Sequence, residues 1–294
     1  PASKSQLRRA DTLKGIGRMD TKQQYELLSE TQMKSMMDLD VVGTPHHAHG
    51  HDDAPVKMVD ASSVRKLMDE VKPDFVINCI ALTPDSICAN NIQTAILVNS
   101  VFPHYISNIT RQYGAKFIHI STDGVFSGNI GMYTETDVPD PPDLYGRTKL
   151  LGEVLDDHCL TIRTSFFGPF NSGHGLIDWL ISKKGKEVSG YKNYIFSGIS
   201  MTTLGRSILS ILDKGDLKGL YNLGGPKVSK FQLLEMLSDN LGLDIKVNTV
   251  SVPSLDISLD STKFYKDTKL EFPTLENMML EIKEEVKAVG YLKI

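Results

Sequence analysis

Short apolar runs alternate with longer amphipathic stretches through the middle of the chain. Phe75 to Ile80 (FVINCI), Phe117 to Ile120 and Cys159 to Thr164 (CLTIRT) are continuous enough to predict strands buried on both faces. Helical spacing fills the gaps between them. One helix runs from a cap at Asp60 or Ser62 to about Val71 and is stopped by Lys72-Pro73-Asp74. A second runs from about Ile92 to Tyr113, where Gly114 ends it, and a third carries Tyr145 and extends to about Asp156. Strands alternating with helices predict an α/β fold built on a doubly wound parallel sheet. Ligands of such sheets sit beyond the carboxyl ends of the strands, where Asn78, Thr122 and Thr164 emerge.

The flanks are less regular. Residues 1–20 are polar and basic and predict an N-terminal arm. Tyr25, Leu27, Leu28, Met33, Met36 and Met37 fall at roughly helical spacing, and Asp40 to Thr44 and Val56 to Val59 read as short strands. Beyond Ser165, helices are predicted over Leu176–Ser182, Thr203–Leu212, Ser229–Leu241 (with Ser229 as cap) and Leu275–Val289. Gly219–Leu223 and Asp244–Val250 are the strands between them. This divides the chain into the arm, a main domain over 21–165 and a smaller α/β lobe over 166–294, with lobe segments returning to the main sheet.

Composition narrows the class. With 294 residues, 40% hydrophobic and 23% charged, the chain buries a substantial core. A net charge of −4 and a pI near 6.1 carry no nucleic-acid footprint. No apolar run approaches the ~18 residues of a membrane span, and the basic start lacks the apolar segment of a secretory signal. Three scattered cysteines, Cys79, Cys88 and Cys159, suit a reducing, cytoplasmic compartment and offer no metal-binding pair.

The chemistry concentrates between Lys116 and Lys149. The strand there ends in Ser121, Thr122 and Asp123, and a Gly- and Pro-rich loop leads to Tyr145 and, one helical turn on, Lys149. Residues four apart share a helix face. An ammonium near a phenol favours the phenolate, so the spacing predicts a Tyr145 pKa below its ordinary ~10. A hydroxyl at the neighbouring strand end can hold a substrate oxygen against that phenol, which suits proton transfer to a carbonyl.

The segments STDGVFSG, GMYTETD, LYGRTKLLGE and LTIRTSFFG, with PDFVINCIALT and GLYNLGGPKVSKFQLLEML, are similar to the extended short-chain dehydrogenase/reductase superfamily, most strongly between Asp74 and Gly168. Within it, the chain resembles the dTDP-4-dehydrorhamnose reductase-like sugar-nucleotide reductases, from about Val41 to the C-terminus. The resemblance implies a Rossmann-like nucleotide-binding domain with a C-terminal substrate lobe. It implies Tyr145 as proton donor, Lys149 as its partner and a ligand of the nicotinamide ribose, Thr122 at the substrate keto oxygen, and Asp123 as a substrate or acid residue. Asn78, Cys79 and Ile80 then line the adenosine side, with Ser121, Thr164 and Ser165 also facing the cofactor. The implied cofactor is NADP, with NAD as the alternative, the partner a nucleotide-sugar substrate, and the assembly a homodimer through the sheet-flanking helices.

Other features depart from that pattern or stay open. The Gly-rich βα unit that would hold a pyrophosphate is atypical or missing: Gly15-Ile16-Gly17 has polar residues before it and Asp20 in place of the third glycine. A non-catalytic nucleotide-sugar-binding or regulatory subunit is therefore the alternative to a reductase. The loop holding His46, His47, His49 and His51 reads as solvated rather than metal-binding. Arg163 is expected in a structural pair, Trp179, Tyr191 and Tyr194 in lobe packing, and IKEEVKAVGYLKI on a solvated helix face. Ile257 stands where relatives often carry an arginine for the diphosphate.

Overall fold

The computed structural model describes residues 61–83, 92–170, 175–251 and 254–291. The N-terminal arm, the Asp40–Thr44 and Val56–Val59 segments, the Gly15-Ile16-Gly17 turn and the histidine loop lie outside the described residues. Helix α1 (Ala61–Val71) leads into β1 (Phe75–Asn78). A long helical segment follows: α2 (Ile92–Ile96), a π-helical turn (Leu97–Val101) and α3 (Phe102–Tyr113). Then come β2 (Lys116–Ile120), α4 (Leu144–Leu151) and β3 (Cys159–Thr164). The lobe contributes β4 (Phe166–Phe167), α5 (Leu176–Ile181), β5 (Glu187–Tyr191), β6 (Tyr194–Phe196), β7 (Ile199–Ser200) and α6 (Met201–Lys214). The remainder is β8 (Gly219–Leu223), β9 (Val228–Ser229), α7 (Lys230–Leu241), β10 (Lys246–Val250), β11 (Leu255–Asp256), α8 (Thr262–Thr268) and α9 (Leu275–Ala288).

The main sheet has the order β1-β2-β3-β8, and every pairing within it is parallel. Its two faces bury different residues, as the period of two along a strand requires. Ile118, Ile120, Leu160 and Ile162 face a large core shared with the lobe, whereas Phe117 and Cys159 pack on Phe102 and Ile106 of α3. The sheet is thus covered on both sides, and the expected doubly wound α/β architecture is present. After β3 the chain enters the lobe and returns as β8 to the sheet edge beside β3. Small sheets complete the lobe: β10-β5, β11-β6-β9 and β4-β7. No helix among the described residues is long and apolar enough to cross a membrane.

Several boundaries differ from the sequence expectation, each for a local reason. β1 stops at Asn78 rather than Ile80 because the Asn78 side chain accepts the Ile80 N–H at 3.1 Å and draws the backbone out of the ladder. The helix carrying Tyr145 ends at Leu151, not Asp156. There the chain passes against the π turn so closely that a Cβ on Gly152 would lie 1.9 Å from the Asn99 carbonyl oxygen. Glu153 is then free to leave the helix and pair with Arg163, the structural role expected of that arginine. β10 begins at Lys246 because Asp244 takes a φ of 51°, which no strand tolerates.

The terminal helix α9 is not a fully solvated face. Ile282 and Val286 are buried, and Glu285 accepts the Thr202 N–H at 2.8 Å and its hydroxyl at 2.7 Å, capping α6 from outside. Ser229, by contrast, caps α7 as predicted and forms a capping box with Gln232.

Candidate active site

The loop between β2 and α4 is fastened before the catalytic candidates appear. Asp140 accepts the Ser127 N–H and hydroxyl at 2.8 and 2.6 Å. Phe126 and Tyr133 stack at 4.0 Å, and Asn222 of β8 donates to the Tyr133 carbonyl at 2.7 Å. Asp143 then caps α4 by accepting the Gly146 N–H at 2.7 Å, which fixes Tyr145 in the first turn. On the far side, Asn99 in the π turn bonds both backbone groups of Leu82 and the Thr148 hydroxyl, joining α4 to the end of β1.

Thr122, Asp123, Tyr145 and Lys149 come together at the carboxyl end of β2. Thr122, Asp123 and Lys149 are buried, and Tyr145 is half-buried. The Tyr145 ring and the Thr122 hydroxyl flank Gly124, and the hydroxyl interacts with the phenol so as to favour its charged form. Thr122 also accepts the Gly124 N–H at 3.0 Å and donates to Asp123 Oδ1 at 3.2 Å. Ser165, directly after β3, lies close enough to the same carboxylate to favour its charged form.

The charge states differ from the expectation. Lys149 does not lower the Tyr145 pKa in this structure. Burial pushes the phenol up to about 12, with Asp123 and Asp143 adding to the shift and the Thr122 contact opposing it. The ammonium instead donates to the Ile120 carbonyl at 2.7 Å and lies 3.4 Å from His119 Nε2. Burial lowers the Lys149 pKa to about 8, against the opposing pull of Cys79 and Glu153. His119 is held well below its ordinary pKa, first by burial and then by Lys149. Asn78 Nδ2 donates to His119 Nδ1 at 3.1 Å, which leaves the remaining proton of a neutral ring on Nε2.

Asp123 is raised to about 6 by burial; Lys230 and the hydroxyls of Thr122 and Ser165 oppose that shift. Its Oδ2 is buried without a partner among the described residues.

Of the other residues expected to face a cofactor, Asn78 and Thr164 are buried at the ends of β1 and β3, Cys79 is exposed and Ile80 half-buried. Ser121 spends its hydroxyl on Glu153 at 2.8 Å and its N–H on Ile162 at 2.7 Å. Sequence reasoning missed His119 and Lys230. The first is hidden in an ordinary strand run. The second follows a helix cap, where a lysine is usually solvent-exposed. Tyr194, expected in lobe packing, lies beside Lys230 with Asp123 close enough to raise its pKa to about 12 together with burial, the larger cause. Trp179 and Tyr191 are more than a third exposed, at 36% and 41%.

A probable low-salt glycan biosynthesis reductase of Haloferax volcanii is 37% identical over 134 residues, 43% of this chain and 45% of that protein. Methionine adenosyltransferase 2 subunit beta of Xenopus tropicalis is 36% identical over 98 residues, 33% of this chain and 29% of that protein. The chain thus aligns with less than half the length of either relative. A hypothetical dTDP-4-dehydrorhamnose reductase of Sulfolobus tokodaii superposes with a TM-score of 0.72 at 27% identity, over 84% of this chain and 93% of that one. The dTDP-4-dehydrorhamnose reductase of Bacillus anthracis in complex with NADP shares the fold, with a TM-score of 0.70 at 22% identity over 78% and 86%. The model of the RmlD substrate binding domain matches residues 32–250. With that match spanning most of the sheet and lobe described above, the chain belongs to the RmlD substrate-binding-domain family, of the extended short-chain dehydrogenase/reductase type.

Proposed function

We propose that the chain is an NADP(H)-dependent reductase of a keto group, at C4, of a deoxy-sugar nucleotide, serving polysaccharide precursor synthesis. The observation that carries this reading is the grouping of Tyr145 and Thr122 around Gly124, with a buried Lys149 bonded to the carboxyl end of β2. The Tyr145 phenol is protonated at neutral pH and so holds the proton that reduction requires, although burial makes it a weaker acid than a free tyrosine. Thr122 and Tyr145 bind the carbonyl oxygen, and Tyr145 delivers its proton to that oxygen as negative charge develops.

The described residues fit the nicotinamide side of a dinucleotide. Lys149 keeps an N–H without an acceptor among the described residues, suited to a ribose hydroxyl, and Thr164 ends the adjacent strand with Ser165 directly after it. When bound, the cofactor supplies the hydride. NAD is the alternative cofactor. The division into a nucleotide-binding domain over 21–165 and a substrate lobe over 166–294 belongs to the same reading, as do a cytoplasmic setting and a homodimer. Exposed Leu97, Val101 and Leu151 on the sheet-flanking helices support pairing with a second copy.

A second reading, a non-catalytic binding or regulatory subunit, is favoured by the kinship with a protein named as a subunit of methionine adenosyltransferase. Titration with NADPH and NADH, followed by nicotinamide fluorescence, separates the two. Absence of binding at millimolar cofactor overturns the reductase. With binding present, Tyr145→Phe is expected to lower turnover at least about 100-fold with cofactor affinity nearly unchanged. Full turnover by that variant would show that another group is the acid.

A further inference from the structure

Lys230 begins α7 directly after its Ser229 cap, with its charge close enough to Asp123 for the two to interact. Its ammonium lies 3.9 Å from the centre of the Phe196 ring and 5.3 Å from that of Tyr194, both on β6 of the lobe. Cation–π contact with two rings holds the head group in place but gives it no hydrogen-bond acceptor, and none is present among the described residues. Asp123, from the opposite side of the site, shows the complementary deficiency: Oδ1 accepts from Thr122, while Oδ2 is buried and has no donor. The two charges attract one another without forming an ion pair.

A buried carboxylate oxygen without a donor has lost its hydration with nothing in exchange, which is unfavourable. The group that satisfies both sides must donate to Asp123 and accept from Lys230. A hydroxyl does both. An ammonium is repelled by Lys230, and a phosphate by Asp123. The location selects which hydroxyl. Thr122 lies against Gly124 together with the Tyr145 ring and donates its hydroxyl to Asp123. With the carbonyl oxygen on Thr122 and Tyr145, the carboxylate is one hydrogen-bond length further along, beside the oxygen of the next ring carbon.

We propose that Lys230 and Asp123 bind the substrate hydroxyl on the carbon adjacent to the reduced carbonyl, and that this pair makes the site selective for a sugar carrying that hydroxyl. For a C4 carbonyl the hydroxyl is at C3. The inference rests on the reductase reading. It makes Lys230 a substrate-contacting residue supplied by the lobe, so that sugar recognition is completed only when lobe and sheet domain meet across the site.

The test compares NADPH-dependent reduction of dTDP-4-dehydrorhamnose and of its 3-deoxy analogue by the wild-type chain, Lys230→Met and Lys230→Arg. Methionine keeps an unbranched stem against Phe196 without the charge. The wild type is expected to prefer the hydroxylated substrate by at least about 100-fold in kcat/KM, as sites built to bond a hydroxyl do. Lys230→Met should lower kcat/KM for that substrate about 10–100-fold and leave the 3-deoxy analogue within about threefold, with NADPH affinity unchanged. Lys230→Arg should recover part of the selectivity. Equal losses on both substrates in Lys230→Met would mean a structural lysine and overturn the proposal alone, as would a wild type indifferent to the hydroxyl. A wild type that binds no NADPH overturns the reductase reading and this inference with it; one that binds NADPH and reduces neither substrate overturns this inference alone.

Discussion

The Lys149 ammonium donates to the carbonyl oxygen of Ile120 at 2.7 Å, the last residue of β2. The bond ties the cation to the sheet end, with neutral His119 behind it. Burial, not this lysine, therefore sets the proton affinity of Tyr145. Because burial also lowers Lys149 to about 8, its charge is lost in an accessible pH range. In the proposed reductase, kcat/KM is expected to fall as pH rises through about 8. Lys149→Arg, which stays charged, should move that limb above pH 10 even though its activity is lower. A limb that remains near 8 in the variant would assign it to another group.

Arg163 and Glu153 form a bidentate pair, both bonds 2.8 Å, with side chains only 4% and 5% exposed. Removing one partner leaves the other charge buried. Arg163→Met is expected to cost about 3–5 kcal/mol in urea denaturation, and adding Glu153→Gln should restore part of it. A double variant no more stable than the single one would show that the charges do not act as a pair.

Glu285 is raised from its ordinary value to about 7, chiefly by burial, with Glu281 adding to the shift and Thr202 opposing it. A raised carboxyl pKa means that the folded state holds a proton that the unfolded state releases. The associated stability is full below about pH 4.5 and is lost as pH rises through about 7. The loss amounts to about 3 kcal/mol. Glu285→Gln carries no charge, so its melting temperature should exceed that of the wild type at pH 8 and approach it at pH 5. Parallel curves for the two proteins would remove Glu285 as the cause.

Gly152 marks where α4 meets the π turn, with no room for a side chain against the Asn99 carbonyl. Gly152→Ala must push two backbones apart and is expected to destabilise by at least about 2 kcal/mol, measured by thermal unfolding. Because Asn99 also bonds Leu82 and Thr148, the same variant should weaken cofactor binding. A variant with wild-type stability would mean that the contact relaxes freely.

Periodicity and capping by themselves determined the strands around Phe117 and Cys159, the long helix ended by Gly114, and α7 with its Ser229 cap. These depend on neighbours in the chain: a run of apolar residues, a glycine at φ 70°, a serine three positions before a glutamine. The spacing of Thr122, Tyr145 and Lys149 was legible for the same reason, since a strand end and one helical turn fix where those side chains emerge. Tertiary structure alone decided the rest. β4, β7, β9 and β11 are two residues long, too short to carry an alternation, and exist because a partner strand is already in place. The Lys149 bond to Ile120, the raised Tyr145 phenol and the buried Glu285 depend on how much water the fold excludes, which no local pattern encodes. Lys230 is the clearest case. In sequence it is a lysine after a helix cap; folding sets it on two aromatic rings across from a carboxylate on a distant strand end.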